Sequence, residues 1–355
     1  MDKIIKKTNW QTKKLGEVIK LEYGKPLPDS KRRSDGKYPV YGANGEKDRT
    51  NEYFYNKHSV IVGRKGSAGE LSLTEEKFWP LDVTYFVTFD YEKYDLGFIH
   101  NLLDTLELTK LAKGVKPGIN RNDVYAIDVE IPPLPEQHRI VKILDEVFAD
   151  VARAKENAEK NLQNSKELFE SYLQSVFANP GKDWEEKRFD EACVLQRGFD
   201  LPSHQRSIGM YPLVSSNGIT DQINAFRVKA PGVVTGRSGT IGNVHYIEKD
   251  FWPLNTALYI KNFCGNYERF VFYFLKQFNL QKYSSGAGVP TLNRNNVHSE
   301  IVHFPKSLAE QKSIVKKLDA LADQTKKLEK IYQQKLVDLE ELEKSVLKRA
   351  FNGEL

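Results

Sequence analysis

Two cysteines, Cys193 and Cys264, stand in 355 residues. They are too few for a disulfide framework, and their scarcity fits a reducing compartment. No stretch approaches the roughly 20 consecutive apolar residues of a membrane span, and the opening MDKIIKKTNW lacks the apolar centre of a signal peptide. A cytoplasmic chain with no membrane partner is therefore expected. The seven histidines, His298 and His303 among them, lack metal-ligand spacing. Gly63, Gly66 and Gly69 resemble a phosphate loop in composition only. The Gly-Lys-Ser/Thr ending of a P-loop is missing, so a tight turn between strands is the better reading. An Asn-Pro-Pro-Tyr methyltransferase signature is absent too. Asp29 with Glu75, Glu76 and Lys77 has the composition of a nuclease set, yet the matching positions hold Ser203, Glu248, Lys249 and Asp250. No catalytic residue, metal or cofactor of the chain's own is expected. Charge of one sign is not in great excess either, and the net +5 permits a polyanionic partner without requiring one.

What is present occurs twice. Residues 10 to 178 are echoed by residues 184 to 352 at an offset of 173 to 174. Trp10 returns as Trp184, Gly24 with Leu27 and Pro28 as Gly198 with Leu201 and Pro202, and Asn44-Gly45 as Asn217-Gly218. Gly63-Arg64 returns as Gly236-Arg237, Phe78-Trp79-Pro80-Leu81 as Phe251-Trp252-Pro253-Leu254, Asn120-Arg121 as Asn293-Arg294, and Glu136-Gln137 as Glu310-Gln311. Two copies at so long a period make a duplicated pair of modules and exclude a solenoid.

Each copy has a front rich in glycine, proline and aromatics, and a charged back without glycine. The fronts carry short β-like runs such as 59–62 and 232–235, turn signals, and short helical candidates near 95–112 and 266–283. In the first back, apolar or small residues recur in steps of four and three, at Ile140, Leu144, Val147, Val151, Ala154, Ala158, Asn161, Ser165, Leu168, Tyr172 and Val176. The second keeps the register with Ile314, Leu318, Leu321, Thr325, Leu328, Tyr332, Lys335, Leu339, Leu342, Val346 and Ala350. This is the seam of a packed helix, and about 42 residues would extend roughly 60 Å. Small residues of the first seam stand where the second has large ones, which favours packing of the two helices on each other; Asn161 and Lys335 weaken that match.

The expected fold is α+β, with two homologous mixed α/β domains separated by two long antiparallel coiled-coil helices in a pseudo-two-fold arrangement. The expected parts are domain 1 over 1–135, helix 1 over 136–178, domain 2 over 182–309 and helix 2 over 310–352. Antiparallel return of the second helix would set the modules at opposite ends of a rod.

Binding chemistry is easier to find than catalysis. In Gly63-Arg64-Lys65-Gly66-Ser67 and Gly236-Arg237-Ser238-Gly239-Thr240, glycines admit close backbone approach and the arginine offers a bidentate fork. Arg64, Lys65, Ser67, Arg237, Ser238 and Thr240, with Lys116, Arg121 and Arg294, are the candidate contacts to a nucleic-acid backbone. The alternative for Arg64 and Arg237 is an exposed turn residue or a pair with a local carboxylate. Positions that differ between copies are candidates for reading base edges: Lys31, Arg32, Arg33, Lys47, Arg49 and Asn51 in the first, His204, Gln205, Arg206, Gln222 and Asn224 in the second. The Phe-Trp-Pro runs read as core.

The chain resembles the specificity subunit of type I restriction-modification systems. The resemblance rests on Trp10 to Gly24 and its second copy, Pro117-Gly118-Ile119-Asn120-Arg121, the Pro132-Pro133-Leu134-Pro135-Glu136-Gln137 run with Arg139-Ile140, and the ending Ala350 to Leu355. It implies two target recognition domains, each reading half of a bipartite asymmetric site in double-stranded DNA, with the helices setting the spacer. It also implies a non-catalytic subunit. Methyl transfer from S-adenosylmethionine would belong to two modification subunits, and ATP-driven translocation and cleavage to restriction subunits. Ser307-Leu308-Ala309-Glu310-Gln311 lacks two of the prolines of the first helix start, which leaves its angle open. The rival readings are a stand-alone methyltransferase or nuclease with duplicated modules, and a coiled-coil scaffold that binds only protein.

Overall fold

Short runs of β-branched and aromatic residues become strands, because such side chains pack well on a pleated, half-buried surface. In the computed structural model, which describes residues 9–286 and 290–355, the chain divides into two units. Unit 1 comprises Met1–Ala158 with Gln334–Leu355, and unit 2 comprises Glu159–Gln333.

Unit 1 contains, in order, β1 (Gln11–Lys14), α1 (Leu15–Val18), β2 (Ile19–Tyr23), β3 (Tyr38–Gly42), β4 (Gly45–Thr50), β5 (Ser59–Gly63), β6 (Leu71–Thr74), β7 (Trp79–Pro80) and β8 (Thr84–Phe89). These are followed by α2 (Leu96–Thr105), α3 (Arg121–Tyr125), β9 (Asp128–Ile131) and the first part of α4 (Leu134–Ala178). A four-stranded sheet runs β2-β8-β5-β6, a three-stranded sheet runs β4-β3-β7, and β1 pairs with β9. The Asn44-Gly45 signal closes the β3–β4 hairpin, with Gly45 at φ +106°.

Unit 2 repeats the plan. After the end of α4 come β10 (Trp184–Arg188), α5 (Phe189–Ala192), β11 (Val194–Arg197), β12 (Ile208–Ser215), β13 (Gly218–Ile223), β14 (Gly232–Gly236), β15 (Val244–Ile247), β16 (Trp252–Pro253) and β17 (Ala257–Asn262). Then follow α6 (Glu268–Gln277), β18 (Ser284–Ser285), β19 (Thr291–Leu292), α7 (Arg294–His298), β20 (Ile301–Pro305) and α8 (Leu308–Phe351). Its sheets run β11-β17-β14-β15 and β13-β12-β16, with β10 on β20 and β18 on β19. The strand order of the four-stranded, the three-stranded and the first two-stranded sheet matches that of unit 1, and the β18–β19 pair is added in unit 2. Phe78 and Phe251 are fully buried, as core residues should be.

The long helices cover more than the expected segments at their starts, and each unit takes part of both. Within unit 1 they run antiparallel: Arg139 donates to the Leu355 carbonyl at 2.9 Å, and Lys155 pairs with Glu343 at 2.7 Å. Ile140, Leu144 and Val151 are buried there, with Leu347 and Ala350 opposite, while Val147, Leu339 and Val346 are half-buried. In unit 2, Leu173 shares a core with Val315 and Leu318, and Ile314 and Tyr172 pack against it; Leu321 is half-buried. Where α8 lacks the prolines, the Ser307 hydroxyl accepts the Ala309 amide at 3.2 Å, starting the helix by capping instead.

Three seam positions are corrected. Leu168, Leu328 and Leu342 are 51, 38 and 44 % exposed. Beyond Ser165 the inward stripe of α4 continues through half-buried Phe169 and buried Leu173, one residue later than the heptad. A straight helix drifts from a 3.5-residue repeat, and this part of α4 also faces the aromatic core of unit 2, with Phe177 5.3 Å from Phe270 between ring centres.

Candidate nucleic-acid interface

The glycine-rich runs are turns between strands. Gly63 closes β5 by donating to Glu70 at 2.8 Å, and a Cβ on Gly63 would meet the Ser67 carbonyl oxygen at 2.0 Å. Gly236 repeats this against Thr240 at 1.8 Å. Gly66 and Gly239 both take φ +83°, where side chains are disfavoured.

Each turn is stitched to a distant segment. In unit 1, Gly66 donates to Pro117 at 2.9 Å and Ile119 donates to Arg64 at 3.0 Å. In unit 2, Leu292 donates to Arg237 at 2.8 Å, and Ser238 bridges Thr291. Asn120 and Asn293 then cap α3 and α7, accepting the amides of Asn122 and Asn295. This leaves Arg121 and Arg294 as first helical residues beside Arg64 and Arg237. Two motifs 57 residues apart in sequence thus form one basic cluster, twice.

In unit 1 the Arg64 and Arg121 guanidinium carbons lie 5.2 and 5.1 Å from the centre of the same ring, Tyr23, with Tyr85 5.9 Å from Arg64. Burial, together with the neighbouring Tyr23, holds the Tyr85 phenol above its usual range despite the two arginines. In unit 2, Arg197 replaces Tyr23, and a cleft is lined by Arg197, Arg237, Arg294, Ser285 and Asn293. There Arg294 donates to Gln196 at 2.6 Å, Arg237 to the Asn255 carbonyl at 3.3 Å, and Arg197 pairs with Asp200 at 3.3 Å.

The remaining backbone candidates are placed unevenly. Lys65 and Lys116 are exposed on the same stitched loops, and Ser67 and Ser238 are half-buried in the turns. Thr240 donates to Asn217. Tyr23 and Arg197 went unnoticed in the sequence; each immediately precedes the repeated glycine, Gly24 or Gly198, and that neighbourhood is the signal that would find them.

Among the base-reading candidates the structure separates two groups. Arg32 donates twice to the Leu27 carbonyl at 2.8 and 3.1 Å and pairs with Asp29, and Arg206 donates twice to Leu201 at 3.0 and 3.1 Å. These two are equivalent scaffold residues, although a shorter offset sets Arg206 opposite Arg33. Arg49 is likewise held by the Gly36 and Lys37 carbonyls and by Glu46 and Glu76, and Asn51 accepts the Lys37 amide. Lys31 pairs with Glu52 and Arg33 with Asp35 in exposed positions. Lys47, His204, Gln205, Gln222 and Asn224 are exposed, and their side chains have no internal partner among the described residues.

Asp29 lies in an exposed turn paired with Arg32, and Glu76 is paired with Arg49, so two of the three carboxylates of the nuclease-like set are engaged by a local arginine. Among the described residues no group of three or more His, Cys, Asp or Glu is placed to hold a metal, and no helix is long and apolar enough to cross a membrane.

The sequence matches the family model for the type I restriction modification DNA specificity domain twice, over residues 7–162 and 181–337. The EcoDI specificity subunit of a type I restriction enzyme from Escherichia coli is 24 % identical, over 98 % of this chain and 89 % of that protein. A Mycoplasma pneumoniae protein assigned to the type I specificity subunits is 26 % identical, over 88 % of this chain and 89 % of its own. A solved structure describing assembly and conformational transition of a type I restriction-modification system has a similar fold, with TM-score 0.79 at 18 % identity over 98 % of both chains. The HsdS subunit of Thermoanaerobacter tengcongensis gives TM-score 0.64 at 18 % identity over 98 and 97 %. Sequence match and duplicated architecture agree: the chain belongs to the type I restriction-modification specificity subunits and carries two of their DNA specificity domains.

Proposed function

We propose that this specificity subunit reads double-stranded DNA without catalysing a reaction itself, each unit contacting one half of a bipartite asymmetric site. The observation that carries this reading is the repeated cluster of Arg64 with Arg121 and of Arg237 with Arg294. Guanidinium forks bind phosphate oxygens bidentately and position the protein on the duplex, while exposed polar side chains that differ between the units read base edges. Lys47 serves that role in unit 1, and His204, Gln205 and Gln222 in unit 2.

The long helices set the distance between half-sites and dock two modification subunits, with restriction subunits joining that assembly in the cytoplasm. S-adenosylmethionine and ATP are used by those partners, and this chain binds no cofactor of its own.

The test is an exchange of residues 182–309 for the matching segment of a relative, followed by methylation-aware sequencing of DNA from cells that also carry the modification subunit. One half of the methylated site should change. A change in both halves, or in neither, refutes independent reading by the two units.

A further inference from the structure

One aromatic platform is shared by the two units and carries different chemistry in each. Phe54 and Arg227 occupy equivalent places: the Phe54 amide donates to the Phe78 carbonyl at 2.9 Å, and the Arg227 amide to the Phe251 carbonyl at 3.0 Å. Each side chain then packs on the tryptophan beside that phenylalanine. In unit 1 the Phe54 and Trp79 ring centres are 5.8 Å apart, and Phe54 remains 40 % exposed. In unit 2 the Arg227 guanidinium carbon lies 4.9 Å from the ring centre of Trp252 and 5.8 Å from that of Phe199. Arg227 is exposed, and its side chain has neither a hydrogen-bond acceptor nor an ion pair among the described residues.

Stacking against two aromatic rings holds a guanidinium plane in place and leaves its edge donors for a partner. A phosphate needs little more than the charge. A fork preset in this way suits two acceptors at fixed spacing, as the N7 and O6 of guanine present in the major groove. The surroundings agree: Phe199, Leu201, Ala225 and Trp252 belong to one small core, so the run leading to His204 and Gln205 and the segment just beyond Gln222 meet beside Arg227. A reader of bases should also differ between the units, and arginine against phenylalanine is such a difference. We infer that Arg227 reads a guanine in the half-site met by unit 2, donating to N7 and O6, and that unit 1, with Phe54 in that place, makes no such contact. The inference rests on the proposed reading that each unit contacts DNA, and it names one base of that contact.

The exchange of residues 182–309 identifies the half-site of unit 2. Binding of the full chain, with its modification subunit, is then followed by fluorescence anisotropy on the cognate duplex and on duplexes in which each guanine of that half-site, on either strand, is replaced in turn by 7-deazaguanine. The analogue pairs normally but lacks the N7 acceptor. One replacement should weaken binding by about tenfold, within the range of a disturbed bidentate contact. R227A should lose a similar factor on the natural duplex and lose nothing further on the sensitive one. Because the analogue probes the unsubstituted chain, a variant that fails to fold does not decide the outcome. A half-site without guanine, indifference of the unsubstituted chain to every replacement, or a further loss when R227A meets the sensitive duplex overturns the guanine contact while the DNA reading stands. Equal weakening by R227A on cognate and random duplexes marks a phosphate contact and overturns it too. Absence of any sequence-dependent binding overturns both.

Discussion

Gln137 and Gln311 make the same three-way tie in the two units. Both are buried near the start of a long helix. Gln137 donates to the Pro132 and Lys93 carbonyls at 2.9 and 3.1 Å and accepts the Asp95 amide at 2.9 Å. Gln311 donates to the Pro305 carbonyl at 3.1 Å and to Asn266 at 2.7 Å, and accepts the Tyr267 amide at 2.8 Å. The glutamine of the repeated Glu-Gln pair therefore fastens each helix to the segment leading into the short helix of its own unit.

Replacing Gln137 or Gln311 by Leu leaves one backbone amide and two oxygen acceptors without their partner, a loss of about 2 kcal/mol in the unit concerned. Urea denaturation monitored by limited proteolysis, with fragments assigned to each unit, should show only the substituted unit weakened. Loss of both together would mean that the tie does not act locally.

Arg32 and Arg206 separate scaffold from reader. Arg32→Ala and Arg206→Ala should each cost about 1 to 2 kcal/mol through lost charge-assisted bonds to Leu27 and Leu201, while the methylated sequence stays the same. Gln205→Ala or Gln222→Ala should do the opposite, leaving thermal stability unchanged and relaxing one base position. An altered site with Arg206→Ala would show that its guanidinium leaves Leu201 when DNA binds.

One position carries a titratable group in unit 2 and none that titrates near neutrality in unit 1. Tyr125 and His298 occupy equivalent places, and the Tyr125 hydroxyl accepts the Leu21 amide at 2.7 Å where the His298 Nε2 accepts the Leu195 amide at 3.0 Å. Burial, above the opposing effect of Asp190, holds the His298 imidazole below its ordinary value of 6.5. The unfolded chain therefore takes up the proton first. Stability from this group is present above about pH 6.5 and is lost as pH falls from there through the lower folded value. Unit 2 should thus melt at a lower temperature at pH 5.5 than at pH 7.5, and His298→Tyr should reduce that difference. An undiminished difference would move the cause to other groups.

The repeat made much of this legible in advance. Because two copies diverge while keeping one fold, shared glycines and Asn-Arg pairs stand out as structural, and Gly63, Asn120 and their partners proved to build the turns and caps. Heptad spacing located both long helices, since a period near 3.6 survives whatever else a helix touches. It failed at Leu168, Leu328 and Leu342, because a half-buried helix answers to two neighbours with different directions.

The order of residues by itself determined the duplication, the alternation of sheet domain and long helix, and the recurrence of a Gly-Arg run and an Asn-Arg pair in each copy; tertiary structure brought the two together. Only tertiary structure decided which arginines are free. The donors of a guanidinium are taken up by whatever acceptor the folded chain brings to it, a carbonyl such as Leu27 or a carboxylate such as Asp200, and such meetings depend on bends of the backbone that no spacing rule records. Arg64 and Arg121 therefore look like their counterparts in sequence and differ from them in three dimensions.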